Sequence, residues 1–495
     1  MMKKFSLSFV FLGCFAVLLF GLQCTADAFS LDENDRYQLG GYIENFTGLR
    51  LSKHTYAGGE SADVGDFAAF RTTLFLDFSA QISSNVKFKS IGRGYYDNPY
   101  SLNSNSDPQI KDTEHQWPGP HPLTMKQDFD LREYYLVISP GDFQFRIGRQ
   151  QIVWGETDAL RMADIINPLD LSWDWSFPTW EDIRIPLQMI DMVYNVPGSA
   201  HNLKFEAVWN PADFRPTQIA PYGAIWDPVG LPGFLVDMLK DQQQHDLPTR
   251  SLKNGAGGGR IKGQIGNWAL SVFGYYARVQ DYVLKLDVGP NTINPGLPMH
   301  FYWPHVLNVG ATFNVESIAL KTIFRGECAY TFDQPFTTSA ANNFNFADPA
   351  AFDYDEKDTF AFMLGFDRNT WIRFLNDNKT FYISGQWFQK FVLGSDVSGK
   401  LRTGFGDDGD NRSQTIFSLL INTEYMDGQI KPEVLAVHSV TEECGFFDFH
   451  VAWEPTYTLR FTVGVRDIWG NNNLTGIWGP VKDNDMGYLK MRWSF

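Results

Sequence analysis

Six charged side chains of both signs lie in the stretch Gly148–Asp170, which reads GRQQIVWGETDALRMADIINPLD. The first five are Arg149, Glu156, Asp158, Arg161 and Asp164. Charged groups at such spacing can lock a loop by pairing with one another, or they can contact a charged solute, and either role perturbs their ionisation. The elements that position them decide between the two roles.

The N-terminus has the features of an export signal. Lys3 and Lys4 precede the apolar run FSLSFVFLGCFAVLLF, and Ala26-Asp27-Ala28 supplies the small residues of a cleavage site. We therefore expect residues 1–28 to be a signal peptide and residues 29–495 to be a single exported domain. No later apolar stretch is long enough for a transmembrane helix.

The C-terminal residues GYLKMRWSF have the pattern of an amphipathic strand, in which Leu489, Met491, Trp493 and Phe495 alternate with polar neighbours. This pattern resembles the C-terminal signal by which Gram-negative outer-membrane barrels are recognised for insertion, with Trp493 and Phe495 as the insertion signal. An amphipathic strand of a soluble sandwich is the alternative. Because only helices and closed barrels satisfy the backbone in lipid, the export signal favours a barrel.

The composition narrows the function further. Aromatic residues make up 16% of the chain and favour strands, while the net charge of −16 disfavours nucleic acid as a partner. After the signal only Cys328 and Cys444 remain, without a CxxC pattern, so we predict no metal, haem or other cofactor. The sequence leaves open whether these two cysteines pair.

Segments that alternate in hydrophobicity, each about ten residues long, recur along the whole chain, as transmembrane barrels require. The predicted strands are 36–50, 66–80, 85–97, 127–139, 142–153, 187–196, 201–210, 258–265, 267–280, 303–315, 317–332, 358–368, 380–393, 413–426, 430–439, 446–454, 457–468 and 485–495. The long connections are 98–126, 154–186, 211–257, 281–302, 333–357 and 394–412. The fold class is therefore an all-β, transmembrane antiparallel β-barrel of about 18 strands, with short periplasmic turns and long extracellular loops. About 16 strands follow if the hairpin 430–454 is misread.

The alternation also predicts which charges face the lumen. Strand side chains alternate between faces, and a charge against lipid costs about 2–4 kcal/mol, so charges beside an apolar stripe point inward. The predicted pore-lining or constriction residues are Arg71, Arg132, Arg146, Arg149, Glu156, Asp158, Arg161, Asp164, Arg260, Arg325, Arg460 and Arg466. Basic residues dominate the inward set, and acidic runs such as Asp353–Asp358 and Asp407–Asp410 fall in loops. Either the lumen favours anions, or its charges pair and merely fill a wet interior.

The segment 154–186 follows the fifth strand directly. Thr157 can cap a short helix that ends at Asn167-Pro168, with Met162 and Ile166 on its apolar stripe. A lone short helix is marginal in water, so we expect this segment to fold into the barrel mouth as a constriction loop, where its acids meet inward arginines. Four aromatic residues follow at once and fit an interfacial girdle better than a sugar-stacking site. They are Trp173, Trp175, Phe177 and Trp180.

The pattern G-R-Q-x-x-x-W-G-E-x-D-x-x-R-x-x-D-x-x-N-P-x-D over 148–170, with Leu131-Arg132-Glu133-Tyr134 upstream, resembles the hallmark of a Gram-negative outer-membrane family. That family is catalogued only as domain of unknown function number thirteen-oh-two. The resemblance implies a porin-like outer-membrane barrel. It also implies an association with efflux pumps of the resistance-nodulation-division class, which handle hydrophobic compounds. It fixes no substrate.

These features together predict a porin-like channel in the bacterial outer membrane for small polar solutes, anions included, gated or narrowed by the loop after strand five. Its expected partners are outer-membrane lipid, lipopolysaccharide and the barrel assembly machinery. The first alternative is an outer-membrane component that transports hydrophobic compounds with a periplasmic or inner-membrane pump partner. The second is a structural or adhesive barrel. No G-x-S-x-G occurs and the histidines are scattered, so we expect no enzyme.

Overall fold

The structure is a computed structural model of the 495-residue chain. The predicted signal peptide, 1–28, lies outside the residues that it describes. The described residues are 29–32, 34–55, 61–102, 125–158, 160–175, 180–220, 224–227, 243–245, 247–286, 299–339, 352–394, 400–402, 412–471 and 476–495.

Eighteen strands build one antiparallel barrel. They are β1 (Tyr37–Arg50), β2 (Phe67–Ser83), β3 (Val86–Asp97), β4 (Gln127–Ile138), β5 (Phe143–Gln150), β6 (Leu187–Asn195), β7 (Lys204–Asn210), β8 (Ala256–Ile265), β9 (Trp268–Arg278), β10 (His305–Ser317), β11 (Thr322–Ser339), β12 (Phe352–Thr370), β13 (Phe381–Val392), β14 (Ser413–Asn422), β15 (Ile430–Ser439), β16 (Cys444–Trp453), β17 (Leu459–Trp469) and β18 (Met486–Ser494). Two short segments, Phe29–Ser30 and Lys400–Arg402, extend the sheet beside β1 and β11.

Each strand pairs antiparallel with the next, and β18 returns to β1 with Phe46 opposite Lys490, which closes the barrel. Tight turns join the strands at one end, here called the turn end, and the long connections lie at the other, the loop end. The predicted barrel of 18 strands is confirmed. The hairpin 430–454 is real, so the smaller count of 16 is wrong.

The strands separate an apolar outer face from the interior, as their sequence pattern predicts. On β17 the side chains of Val463 and Val465 are 62% and 40% exposed, whereas those of Thr462 and Arg466 are 7% and 3% exposed. Alternation of this kind continues around the wall and leaves apolar side chains on the outside. No helix among the described residues is long and apolar enough to cross a membrane.

Two boundaries differ from the prediction. Pairing between β11 and β12 continues past an irregularity between Thr331 and Gln334 as far as Ser339 opposite Phe352. The acidic run Asp353–Asp358 therefore stands on β12 and not in a loop, because cross-strand hydrogen bonds hold it. The run Asp407–Asp410 lies outside the described residues.

The sequence predicts a wet interior lined by charged residues. The interior of the barrel is instead partly apolar. One inward wall, from β12 to β17, carries a band of buried apolar side chains near the loop end. The band consists of Met363, Phe388, Ile416, Val437, Phe446 and Ile468. Trp478 and Val481, between β17 and β18, are buried in the same cluster, so apolar packing fills this part of the barrel. Cys328 and Cys444 are free thiols.

Candidate functional site

The segment 154–186, here called the inner loop, enters the barrel after β5. None of its described residues before Trp180 is helical, so the predicted helix from Thr157 to Asn167 is wrong. Side chains of the barrel wall accept hydrogen bonds from backbone N–H groups that would otherwise donate to carbonyls within a helix. The Glu327 carboxylate accepts hydrogen bonds from the amides of Glu156 and Ala163, the latter at 3.0 Å. Only Trp180–Ile183 forms a helical turn.

The apolar residues of the inner loop are buried inside the barrel, as expected. Trp154, Ala163 and Ile166 form one cluster with Phe273 and Tyr275 of β9. The Trp154 indole N–H also donates to the Glu206 carboxylate at 2.8 Å, so its polar atom is satisfied within this cluster. Burial of this surface offsets the weak intrinsic order of a segment without regular structure.

Asp158 ties the inner loop to the wall formed by β11 and β13. Its carboxylate lies 2.6 Å from Nη2 of Arg325, 3.1 Å from Oγ of Ser384 and 2.9 Å from Nε2 of Gln386. Arg325 also pairs with Asp367 of β12 at 2.8 Å. An acidic residue of the loop thus meets an inward arginine of the wall, as predicted.

Beside Asp158, the backbone carbonyl of Glu156 accepts a hydrogen bond from Nη1 of Arg325 at 2.7 Å. Burial raises the pKa of the Glu156 carboxyl, and the positive charge of Arg325 opposes that rise. Ionisation of Glu156 therefore works against docking of the loop.

Asp164 and Arg161 make their contacts elsewhere. Asp164 pairs at 2.8 Å with Arg184, which belongs to the same loop, so the expectation that it meets an inward arginine of the wall is wrong. An antiparallel bridge between Leu169 and Arg184 holds the last part of the loop against its middle and places Arg184 near Asp164. Arg161 donates to the Asn167 carbonyl at 2.5 Å, and burial lowers the pKa of its guanidinium.

Two arginines of β4 and β5 hold the base of the inner loop. Arg132 donates to the backbone carbonyls of Glu181 and Arg184 at 2.9 and 2.7 Å. Arg149 pairs with Asp130 at 2.8 Å. Both side chains therefore position the loop where it leaves and rejoins the wall.

Two further predicted residues pair across neighbouring strands. Arg146 of β5 lies 2.8 Å from Asp191 of β6, and Arg260 of β8 lies 2.8 Å from Glu206 of β7. Arg260 also donates to the Trp154 carbonyl at 3.2 Å. The sequence left open whether interior charges pair with one another. At these positions they do.

Arg466 fixes the middle of the inner loop to the wall formed by β16 and β17. Its guanidinium lies 2.9 Å from Asp174 of the loop and 2.8 Å from Asp448, and all three side chains are buried. The hydroxyl of Tyr488 donates to Asp448 at 2.8 Å. Asp174 was not among the predicted site residues, because its only sequence signal is that of a lone acid between Trp173 and Trp175.

The aromatic residues of the inner loop do not form an interfacial girdle, so that expectation is wrong. The ring of Trp173 lies 4.4 Å from the Arg71 guanidinium, and Trp175 is buried. The indole N–H of Trp180 donates to the Asp158 carbonyl at 2.9 Å. The loop turns into the barrel and carries these rings with it. Phe177 lies outside the described residues.

The remaining predicted residues lie apart from the inner loop. Arg460 stands near the turn end, 3.5 Å from Glu454. Trp493 pairs with Ile43 of β1 and Leu459 of β17, and Phe495 exchanges two backbone hydrogen bonds of 2.9 Å with Gly41. Their role as an insertion signal stays a prediction.

Two of the cavities that adjoin the inner loop differ in size and lining. The larger, about 430 Å³, lies between the loop and the wall from β9 to β14, and Leu160, Met162, Leu169 and Val306 contribute apolar lining. The smaller, about 50 Å³, lies against β1, β2, β3 and β18 and is lined by Arg71 among others.

A family model described as "Protein of unknown function (DUF1302)" matches residues 12–495. This chain belongs to that family. The stretch that carries the sequence resemblance is the one that enters the barrel, and it begins at Gly148, where φ is +139° and a Cβ would lie 2.2 Å from the Tyr134 carbonyl oxygen. Only glycine fits there, so the DUF1302 motif begins with a backbone requirement.

No curated protein sequence matches this DUF1302 chain. Solved structures similar to it include OccAB1 of Acinetobacter baumannii, with a TM-score of 0.46 and 11% identity over 95% of this chain and 98% of that one. OccAB2 of the same organism has a TM-score of 0.44 and 11% identity over 93% and 98%. A Salmonella typhi OmpF complex with daunomycin has a TM-score of 0.40 and 9% identity over 94% and 99%. Scores this low say nothing about what the chain transports.

Proposed function

We propose that this protein is an outer-membrane porin-like channel for small polar solutes, anions favoured, and that the inner loop narrows or gates it. The observation that carries the proposal is the path of the inner loop. It leaves the wall at β5, crosses the interior, and is tied to two separate parts of the wall, to β11 by Asp158–Arg325 and to β17 by Asp174–Arg466. A segment held in this way occupies the route that a solute would take along the barrel axis.

The preference for anions rests on the sign of the interior charges that are left after pairing. Most inward acids are engaged by arginines, as in Asp191–Arg146 and Glu206–Arg260. Lys490 lies over the rings of Phe46 and Tyr488 at 5.0 and 5.3 Å, and among the described residues it has no ion pair. Rings of unneutralised charge are one device by which channels select ions.

The test is single-channel recording from refolded protein in a planar bilayer under a salt gradient, with residues 155–170 intact and then deleted. We expect stable conductance with an anion-selective reversal potential, and a larger conductance after the deletion. A third protein carries a Gly-Ser segment of equal length in place of 155–170. It keeps the length of the loop but removes its side-chain contacts with the wall, so it distinguishes the effect of a shorter loop from the effect of lost contacts. Absence of conductance in all three proteins would sink the proposal.

A second candidate function is transport of hydrophobic compounds together with an efflux pump of the resistance-nodulation-division class. The apolar band on β12–β17 and the cavity of about 430 Å³ favour it, because a pocket for a hydrophobic ligand of moderate size has this volume and lining. Saturable binding of an apolar fluorescent probe by a barrel that does not conduct would support this candidate over the channel.

The proposal places the protein in the outer membrane, in contact with lipid and lipopolysaccharide, after assembly by the barrel machinery. Absence of enzymatic activity and of nucleic-acid binding stay predictions. Among the described residues no group of three or more His, Cys, Asp or Glu side chains could hold a metal ion.

A further inference from the structure

The small cavity is lined mainly by basic and aromatic side chains. Arg71 of β2, Arg93 of β3, and Lys490 and Arg492 of β18 bring four positive charges to it, against the carboxylates of Glu44 and Asp182. Its aromatic lining is Tyr42, Phe46 and Trp173. The cavity thus has an excess of positive charge between aromatic walls.

Arg71 is the central observation. The residue is 5% exposed, and its guanidinium carbon lies 3.6 Å from the ring centroid of Tyr95 and 4.4 Å from that of Trp173. Within the described part of the chain it makes no hydrogen bond and no ion pair. Its buried cross-strand neighbour Asp97 attracts it electrostatically, but the Asp97 carboxylate accepts its hydrogen bond at 3.1 Å from the amide of Phe70.

The guanidinium of Arg71 lines the cavity. It has five N–H donors in its plane, and none of them makes a hydrogen bond to the described residues. An anion in the cavity can therefore accept charge-assisted hydrogen bonds from these donors. A second buried arginine repeats the pattern: Arg93, 7% exposed, donates through Nη1 to the Asp182 carbonyl at 2.8 Å, while its Nε has no partner.

One of the two carboxylates that line the cavity is already paired with a lining arginine. Glu44 is engaged by Arg492, whose Nε lies 2.7 Å from it. The cavity, about 50 Å³, exceeds the roughly 10–15 Å³ that one water needs, so it has room for a small polar group but not for a large one.

We infer that this cavity binds the carboxylate group of a small organic anion, with Arg71 as the principal contact. Two oxygens in a plane match the fork of a guanidinium, and the rings beside it suit the carbon to which a carboxylate is attached. The inference rests on the proposed function, since a solute reaches the cavity only through the lumen. It names the class of anion that the channel would hold on its way.

Saturation-transfer NMR on the acetate methyl protons tests the site, with refolded full-length protein in detergent at constant ionic strength. We expect a saturable signal in the wild type and a dissociation constant at least about tenfold higher in Arg71→Gln, because a charge-assisted pair is lost. Arg71→Lys, which keeps the charge without the fork, should fall between them. Arg460→Gln, a basic strand residue outside the cavity, is the matched control and should bind acetate like the wild type.

Folding of each variant is checked by its heat-dependent shift in electrophoresis, and Lys490→Met replaces Arg71→Gln if that variant does not fold. An unsaturable acetate signal in the wild type, or unchanged affinity in the variant, would overturn the site. Displacement of acetate by chloride or inorganic phosphate at equal or lower concentration would overturn the assignment to carboxylate. Acetate binding without conductance would sink the channel alone, and conductance without acetate binding would sink the site alone.

Discussion

Replacement of Asp158 by asparagine should loosen the inner loop without unfolding the barrel. The substitution keeps the size of the side chain and one acceptor oxygen, but it removes the charge that faces Arg325 at 2.6 Å. Arg325 keeps its pair with Asp367 at 2.8 Å, so no isolated charge is left buried. The change therefore acts on loop docking more than on the wall.

The magnitude follows from exposure and geometry. A hydrogen bond to a charged group contributes about 1.5–3 kcal/mol, whereas an exposed ion pair contributes about 0–1 kcal/mol. The Asp158 side chain is 35% exposed and that of Arg325 is 13% exposed, which places the pair between these limits. We expect Asp158→Asn to cost about 1.4 kcal/mol of docking free energy, which is about a tenfold rise in the undocked population.

Hydrogen exchange followed by mass spectrometry measures that population whether or not the barrel conducts. The amides of Asp158 and Ala163 are bound by Gln386 and Glu327, so they exchange only when the loop undocks. Peptides covering 152–170 should exchange about tenfold faster in Asp158→Asn. Asp63→Asn, which disturbs an exposed pair with Lys53 outside the inner loop, is the matched control. Equal exchange in the two variants would refute the view that Asp158 holds the loop.

Three further predictions concern other contacts of the inner loop. Arg466→Met removes the cation that pairs with the buried carboxylates of Asp174 and Asp448 and should lower the free energy of unfolding in urea by about 3–5 kcal/mol. A loss below about 1 kcal/mol would contradict the buried network. Gly148→Ala places a Cβ against the Tyr134 carbonyl oxygen at positive φ and should lower the free energy of unfolding by about 1–3 kcal/mol. The loss should appear as a lower thermal midpoint of unfolding. An unchanged midpoint would disprove the backbone requirement. Burial raises the pKa of Glu156, so the docked loop gains stability as pH falls through that raised value and has the full gain below the ordinary value of 4.5. Exchange of the 152–170 peptides, corrected for intrinsic rates, should slow on acidification in the wild type and should slow less in Glu156→Gln.

The wall of the barrel could be predicted from sequence because its rule is local. A strand in a barrel alternates between lipid and interior, and residues such as Val463 and Arg466 show the alternation without knowledge of their partners. The same rule fails where both faces are apolar. On β13, Trp387 points outward and Phe388 inward, so the apolar band of the interior has no sign in the sequence pattern.

The inner loop was predicted correctly in its place but not in its conformation. Its apolar residues required burial, and that requirement is local. Its helix was a wrong prediction because the acceptors that replace helical hydrogen bonds, Glu327 and Gln386, lie far away in the chain. The girdle was wrong for the same reason, since the position of Trp173 depends on Arg71.

The two ties of the inner loop also set an order of assembly. Asp158 and Arg325 are 167 residues apart, and Asp174 and Arg466 are 292 residues apart, so neither contact exists until strands much later in the chain have paired. Loop closure over such separations gains nothing until the wall has brought the partners together. We therefore expect the inner loop to order last, after β17 has joined the barrel. A barrel that stalls before its final hairpin would lack the Arg466 tie, so its inner loop would be held by the Asp158–Arg325 tie and not by both.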